Sequence, residues 1–506
     1  MNTRTTYSIL GDFLALIAGA ILPFAFAPFS WFFLAIIAPA MLFVIWQNVT
    51  PARCFWRGWL FGVGFFGVGV SWVYVSFSDF SDMPMISAIL LTVAFVAFLA
   101  LYPAILGWFV ARFFPDIHYG KYLLLLPSLW VLFEWIRSWL LTGFPWLSLG
   151  YSQIETPLRG FAPIFGIYGV SIAVAFTAGL LAYMVRANQW KMEETLLAIL
   201  LFTGVWGGGW ILTQQIWYKS SDSPFSVALI QGNIPQEFKW NQAYQLETIE
   251  RYLKLTQQHR SADVVIWPET AITTFYHFQF TQKILDILMQ ERALYQTDFL
   301  LGMPYVDEQG LYYNSVLSLS DAPNFYHKNH LVPFGEYIPL MNWFDKWLDF
   351  LKLPMSSFSA GDFYQENLTA AGQMIGVSIC YEAAFGERIR TALPEASVLV
   401  NVSNDAWFGN SIAPHQHLEI AQMRALEMGR YLLRATNTGI SAIIAPSGQV
   451  IARSPQFEVY ALTGEVQPLQ GVTPYVRLGE LPLLLLTMAM LLLGMAIYGQ
   501  TRRDLI

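Results

Sequence analysis

The sequence predicts a membrane α-helical bundle of about eight spans carrying one α/β domain outside the membrane. Three observations lead there. Of 506 residues, 55% are hydrophobic and only 12% charged, about half the charged fraction usual for a soluble protein. Residues 1–215 and 479–506 contain apolar stretches of spanning length. The segment between them reads as short β-rich runs alternating with amphipathic helices, the pattern of a single α/β domain with its own core.

Taken in order, spans are expected near 9–27, 29–46, 58–77, 86–111, 122–141, 161–185, 195–214 and 481–499. Each has about the 17–25 residues that a bilayer requires. The first has the look of a signal peptide, but Pro28 follows Ala-Phe-Ala and disfavours cleavage there, and further spans follow at once. Basic residues at Arg4, Arg53, Arg57, Arg112, Lys121, Arg186, Lys191, Arg502 and Arg503 all fall on one side of an eight-span bundle. The opposite loops carry Asp79, Asp82 and Glu155, with Arg159 the exception. The positive-inside rule then places both termini in the cytoplasm and the segment from about 216 to 478 outside, in a periplasm if the cell has one. The expected domains are a seven-span bundle over 1–215, an outer domain over 220–470 and a last helix with its tail over 479–506. Glu134 and Arg137 share a face of the fifth span. Charges at that depth either dock helices as a self-neutralising pair or contact a lipid head group or the outer domain. The loop with TGFPW at 142–146 and YSQ at 151–153 follows on the outer side.

In the outer domain, strands are expected at 226–232, 263–269, 298–304, 312–320, 374–379, 396–405 and 440–445. Helices are expected at 243–259, 281–294 and about 415–434. Net charge is −7 with no large basic block, which argues against nucleic acid as a partner. The chain has two cysteines, Cys54 and Cys380, and no zinc-like Cys/His spacing, so no metal and no cofactor are expected.

Cys380 stands where the apolar run MIGVSI ends. It reads either as a core thiol or as a nucleophile presented at a strand end. By the topology above, Cys54 lies on the cytoplasmic edge and cannot reach it. An unpaired thiol in an oxidising compartment is either buried or useful. The other candidate reactive groups are Glu269 after Trp-Pro, Lys328 in KNH, Glu336 in FGEY and Glu382 beside the cysteine. Each reads equally as a turn, a solvated charge or a structural pair.

Glu269 in WPET, Lys328 in YHKNHLVPFGEYIP and Cys380 in ICYE, in that order, resemble the Glu-Lys-Cys triad of the nitrilase (carbon–nitrogen hydrolase) superfamily. With GFPWLSLGYSQ, IQGNIPQEFKW, LPMSSFSAG, NVSNDAWFG and the spans, the chain resembles the apolipoprotein N-acyltransferase family over nearly its whole length. That resemblance implies an αββα sandwich on a helical membrane bundle. It also implies a catalytic triad of Glu269, Lys328 and Cys380, and transfer of an acyl chain from a phospholipid to the N-terminal amine of a diacylated apolipoprotein. Glu336, Glu382, Tyr381 and Asn314 are then expected to support the triad. Trp240, Trp343, Phe358 and Trp407 become candidate acyl contacts, although each reads equally as core or interfacial anchor. Glu134 and Arg137 join them as candidate substrate contacts, and 341–361 is expected to form a mobile apolar lid. A membrane-tethered amidase would use the same triad. A transporter would want more intramembrane polar residues than these two. A Cys-His enzyme would draw on His330, His415 or His417.

Overall fold

The computed structural model describes residues 3–78, 84–186, 192–337 and 358–504. The chain divides into two compact units, one of Met1–Tyr74, Ala88–Gln215 and Leu478–Ile506, the other of Val75–Ser87 and Ile216–Arg477.

The first unit is helical. Among the described residues, four helices are long and apolar enough to cross a membrane: Met85–Phe113, Pro157–Val185, Met192–Thr213 and Leu481–Gln500. The other four expected spans are shorter or interrupted, so length and composition alone do not give eight. The first helix, Thr3–Ile21, passes into a 3-10 turn at Leu22–Ala25, where Pro23 withdraws an N–H. Leu34–Ile45 has 12 residues. At about 1.5 Å per residue it rises about 18 Å, short of a hydrocarbon core of about 30 Å. The third helix starts at Pro51 rather than 58, because Thr50 caps it by accepting from the Arg53 N–H, and it stops at Gly69. Its Arg57 pairs with Asp12 at 3.1 Å. The fifth is a π turn, Lys121–Leu125, followed by Leu126–Arg137.

The second unit holds two six-stranded sheets. The first runs Tyr460–Val466, Phe225–Gln231, Val264–Ile266, Asp298–Val306, Tyr312–Leu319, Asn324–His327. The second runs Val450–Arg453, Ala442–Ile444, Leu432–Thr436, Val398–Ser403, Gln373–Ile379, Leu368–Ala370. The central strands of both are parallel. Strands covered on both faces read as predominantly apolar runs, as in Val398–Ser403, every residue of which is buried although Asn401 and Ser403 are polar. Val227, Leu229, Ile266 and Leu300 of one sheet pack against Ile375, Val377, Val400 and Leu433 of the other. The outer face of the first sheet packs on the helices Gln245–Gln258 and Gln279–Tyr295. The second sheet does the same with Ala413–Met428 and Pro474–Leu478. The layers are therefore α, β, β, α.

Element boundaries differ from expectation at one instructive place. The helix expected to reach 434 ends at Met428, because Gly429 takes φ +63° and closes it with an N–H to the Ala425 carbonyl. Residues Leu432–Thr436 are instead a central strand. The edge strands at 368–370, 450–453 and 460–466 were absent from the sequence reading.

Candidate active site

The parallel strands set the site, since the loops leaving their C-terminal ends gather in one place. The strand Val264–Ile266 is followed by Trp267, whose indole is buried, donates to Thr256 Oγ1 at 3.0 Å and lies over Tyr252. The chain then turns at Pro268 and delivers Glu269. This turn lies against Gly302 of the neighbouring strand, where a Cβ would stand 2.2 Å from the Pro268 oxygen and 2.8 Å from the Glu269 Cα. Only glycine allows that approach.

Two hydrogen-bond donors and one cation surround the Glu269 carboxylate. Asn314 Nδ2 donates to Oε1 at 2.7 Å, the Asn404 N–H donates to Oε2 at 2.8 Å, and Lys328 Nζ stands 3.6 Å from Oε1. Lys328 follows the edge strand Asn324–His327 and is 1% exposed. Its ammonium pairs with Glu336 Oε1 at 2.7 Å, and Asn314 Nδ2 also donates to that oxygen at 3.2 Å. Burial works against the lysine's charge, but Glu336 and then Glu269 outweigh it and hold the pKa above the ordinary lysine range.

Cys380 ends the strand Gln373–Ile379 and opens a 3-10 turn, Cys380–Ala384, at φ +52°. A non-glycine residue in that region is strained, a condition met at functional sites where surrounding contacts hold it. Glu382 supplies such contacts. Its fully buried carboxylate accepts from the N–H groups of Ile379 (2.7 Å), Asn329 (2.7 Å) and His330 (3.0 Å) and from the Tyr326 hydroxyl (2.9 Å). Arg388 stands 3.8 Å away. Glu382 thereby ties the cysteine turn to the residues just after Lys328. Burial first, then the Glu269 charge, push the Cys380 thiol up to about 12, with Lys328 pulling the other way. The resting arrangement is a neutral thiol and a carboxylate held by two hydrogen-bond donors with a charged lysine beside it, which suits a nucleophile that ionises only as it attacks.

Behind Cys380 lies a second buried cluster. His417 Nε2 donates to the Cys380 carbonyl at 3.1 Å, and Arg434 Nη2 donates to His417 Nδ1 at 2.9 Å and to Asp405 Oδ2 at 2.8 Å. Burial, then Arg434, hold the imidazole below its ordinary pKa. Burial opposes the Asp405 charge, but Arg434 overrules it and keeps this carboxylate well below the usual range.

The remaining expected residues distribute as follows. Tyr381 packs edge-on against Phe385, and His330 stacks on the same ring. Phe358 joins the site margin, its N–H donating to the Glu336 carbonyl at 3.0 Å. Trp240 is 47% exposed, and the Trp407 carbonyl accepts from Ser76 Oγ at 2.8 Å. Trp343 and most of the expected lid at 341–361 lie outside the described residues. Glu134 and Arg137, in the other unit, do not pair with each other but hold the loop that follows them. Trp130 Nε1 and the Leu149 N–H donate to Glu134 Oε1 at 2.9 and 3.0 Å, and Arg137 donates to the Phe144 carbonyl at 2.9 Å.

Sequence reasoning missed Lys239, Asn404, Asp405 and Arg434 at this site. Lys239 Nζ donates to the Glu269 main-chain oxygen at 2.9 Å. Its signal was a cation between two aromatic residues in QEFKW, and Asn404 and Asp405 stand inside NVSNDAWFG.

Residues 18–180 match the family described as the apolipoprotein N-acyltransferase N-terminal domain, and residues 226–473 match carbon-nitrogen hydrolase. Curated relatives bearing the name apolipoprotein N-acyltransferase align along nearly the whole chain. That of Methylococcus capsulatus is 44% identical over 472 residues, 93% of this chain and 92% of its own. That of Vibrio cholerae is 40% identical over 496 residues, 96% of this chain and 97% of its own. That of Coxiella burnetii is 40% identical over 486 residues, 96% of this chain and 99% of its own.

Proposed function

The chain belongs to the apolipoprotein N-acyltransferase family, and from that premise we propose that it moves a fatty acyl chain from a membrane phospholipid to the α-amino group of an N-terminal S-diacylglyceryl-cysteine. The observation that carries the mechanism is the buried Glu269–Lys328 contact at 3.6 Å, both charges acting on the Cys380 thiol.

In the first half-reaction Glu269 takes the thiol proton as Cys380 Sγ attacks the ester carbonyl of the phospholipid. The oxyanion that forms draws on the Lys328 ammonium; one such donor is typically worth about 10²–10³ in rate. Collapse expels the lysophospholipid oxygen, which receives the proton from Glu269, and leaves a thioester on Cys380. In the second half-reaction the acceptor amine attacks the thioester carbonyl and gives a proton to Glu269. The C–S bond breaks, and the departing thiolate recovers that proton. The amide is formed, and the enzyme returns to its starting state. Glu336 and Asn314 orient Lys328 and Glu269, while Glu382 and Tyr381 steady the cysteine turn. Trp240, Phe358 and Trp407 are assigned to the acyl path.

The membrane location follows from the donor. Withdrawing a chain of ~16 carbons from a bilayer costs about 12 kcal/mol at ~0.8 kcal/mol per methylene, so the acyl chain needs an apolar path to the thiol. We place eight passages in the inner membrane, with both termini cytoplasmic and the sandwich unit periplasmic. The basic loops support this orientation.

The test is the intact mass of the protein after incubation with phospholipid and no acceptor. The expected result is a gain of one acyl chain, released by neutral hydroxylamine, absent in Cys380→Ala and discharged by a lipopeptide with a free N-terminal cysteine amine. Steady release of free fatty acid with no accumulated adduct would instead mark a hydrolase.

A further inference from the structure

Lys239 has no task in the mechanism above, yet at 3% exposure it is about as deeply buried as Lys328. It closes the short helix Gln236–Lys239. That helix turns Gln236 and Lys239 inward and leaves Phe238 and the following Trp240 exposed. Gln236 Oε1 accepts from Asn404 Nδ2 at 2.7 Å, and the Asn404 N–H donates to Glu269 Oε2 at 2.8 Å. Lys239 Nζ donates directly to the Glu269 main-chain oxygen at 2.9 Å. The helix thus grips the base twice, at the carboxylate through Asn404 and at the backbone through the lysine.

A buried ammonium ordinarily sits against a carboxylate or gives up its charge. Among the described residues Lys239 makes this one hydrogen bond, and no carboxylate stands within ion-pair distance of it. The charges that face it are Glu269 on the strand-end turn and the Cys380 thiol on the other sheet; its own helix adds Glu237, which is exposed. Burial pushes the Lys239 pKa down to about 8, while Glu269 and Cys380 pull it up.

We propose that Lys239 is a positioning residue for acyl transfer, its ammonium holding the Glu269 main chain and supplying positive charge that favours the Cys380 thiolate as the thiol proton leaves. This rests on the acyltransferase reading for the roles of Glu269 and Cys380. The sign is definite. The charge is present below about pH 8 and is lost as pH rises through it, so its contribution disappears on the alkaline side.

The test uses the full chain and the variants Lys239→Met and Lys239→Arg from pH 6.5 to 10. One readout is thioester formation from phospholipid, by intact mass. The other needs no acyl chemistry: iodoacetamide alkylation of Cys380 without lipid, followed on its own peptide so that Cys54 does not interfere. At pH 7, Lys239→Met is expected to be slower in both by about tenfold, the equivalent of one unit in the thiol pKa. That deficit should close by pH 10, where the wild-type lysine has lost its proton. Lys239→Arg should match wild type at pH 7 and outpace it by up to about tenfold at pH 10, because guanidinium keeps its charge where the lysine has lost it. An unchanged alkylation profile in Lys239→Met, or a Lys239→Arg profile that tracks wild type all the way to pH 10, would overturn the inference. If Lys239→Met does not fold, the Lys239→Arg profile alone decides. A wild type that takes no acyl chain from phospholipid but still shows the alkylation pattern would refute the acyltransferase reading and uphold the effect of Lys239 on the thiol.

Discussion

In the proposed mechanism Glu269 acts on Cys380 in two opposite senses. As the base it would remove the thiol proton. As a fixed negative charge it ranks after burial among the influences that push the thiol up to about 12. Glu269→Gln separates the two. Removing the charge leaves the opposing pull of Lys328 less contested, so the thiol pKa falls and Cys380 is alkylated at lower pH than in wild type. Thioester formation should nevertheless drop by about 10²–10⁴, the usual worth of a general base. Alkylation and acylation rates measured side by side check this, and a thiol pKa that rises in Glu269→Gln would contradict the electrostatics described. Glu382 predicts a different outcome. Its carboxylate satisfies three main-chain N–H groups and a tyrosine hydroxyl, with Arg388 at 3.8 Å. Glu382→Ala leaves these donors and the arginine without their buried acceptor and should destabilise the sandwich by about 3–5 kcal/mol, read from the denaturant midpoint. Glu382→Gln keeps an acceptor oxygen and should lose less.

At the scale of elements, the turn that carries Glu269 is fixed by contact with its neighbour strand. Gly302→Ala would set a methyl 2.2 Å from the Pro268 oxygen, so the turn must move outward. A displacement near 1 Å costs on the order of 10²-fold in rate. We expect the thioester rate to fall by about that factor while the melting temperature changes by only a few degrees. In the helical unit, Arg137 and Glu134 serve the loop from Phe144 to Leu149. Arg137→Met should raise amide exchange across 143–153, measured by mass spectrometry, while the helix Leu126–Arg137 keeps its protection.

For the whole molecule, legibility followed chain distance. Glu269 and Cys380 each stand at the end of an apolar run visible locally, so they could be listed as candidates from the residues, whereas Lys328 follows the short strand Asn324–His327, which has no such run, and the three were joined as a triad only by the resemblance. Lys239, Asn404 and Arg434 take their places through partners about 30 or more positions away, as Lys239 does on Glu269 and Arg434 on Asp405, and the short motifs around Lys239 and Asn404 do not say which partner each meets. The layers of the sandwich came from resemblance rather than periodicity. Leu432 and Leu433 suit a helix or a strand alike, and only the left-handed Gly429 decides between them. Hydropathy also overran the helices. It totals apolar residues and does not register the break after Gly69 or the π turn at Lys121–Leu125. The proposed orientation is open to direct measurement. A cysteine placed at Ser220 in a background lacking both Cys54 and Cys380 should react with a membrane-impermeant maleimide from outside intact spheroplasts, and one placed at Arg502 should not until the membrane is opened.

The base and the thiol come from different sheets, and two clamps span the seam. The Asn404 N–H reaches from one sheet to Glu269 on the other, and Glu382 reaches back to Asn329 and His330. The apolar layer between them, with Leu229 and Ile266 against Val377 and Val400, is therefore a spacer whose thickness would set the gap a proton crosses in the proposed mechanism. Shaving that spacer, as in Val400→Ala, is expected to slow thioester formation through geometry while leaving every candidate reactive group in place.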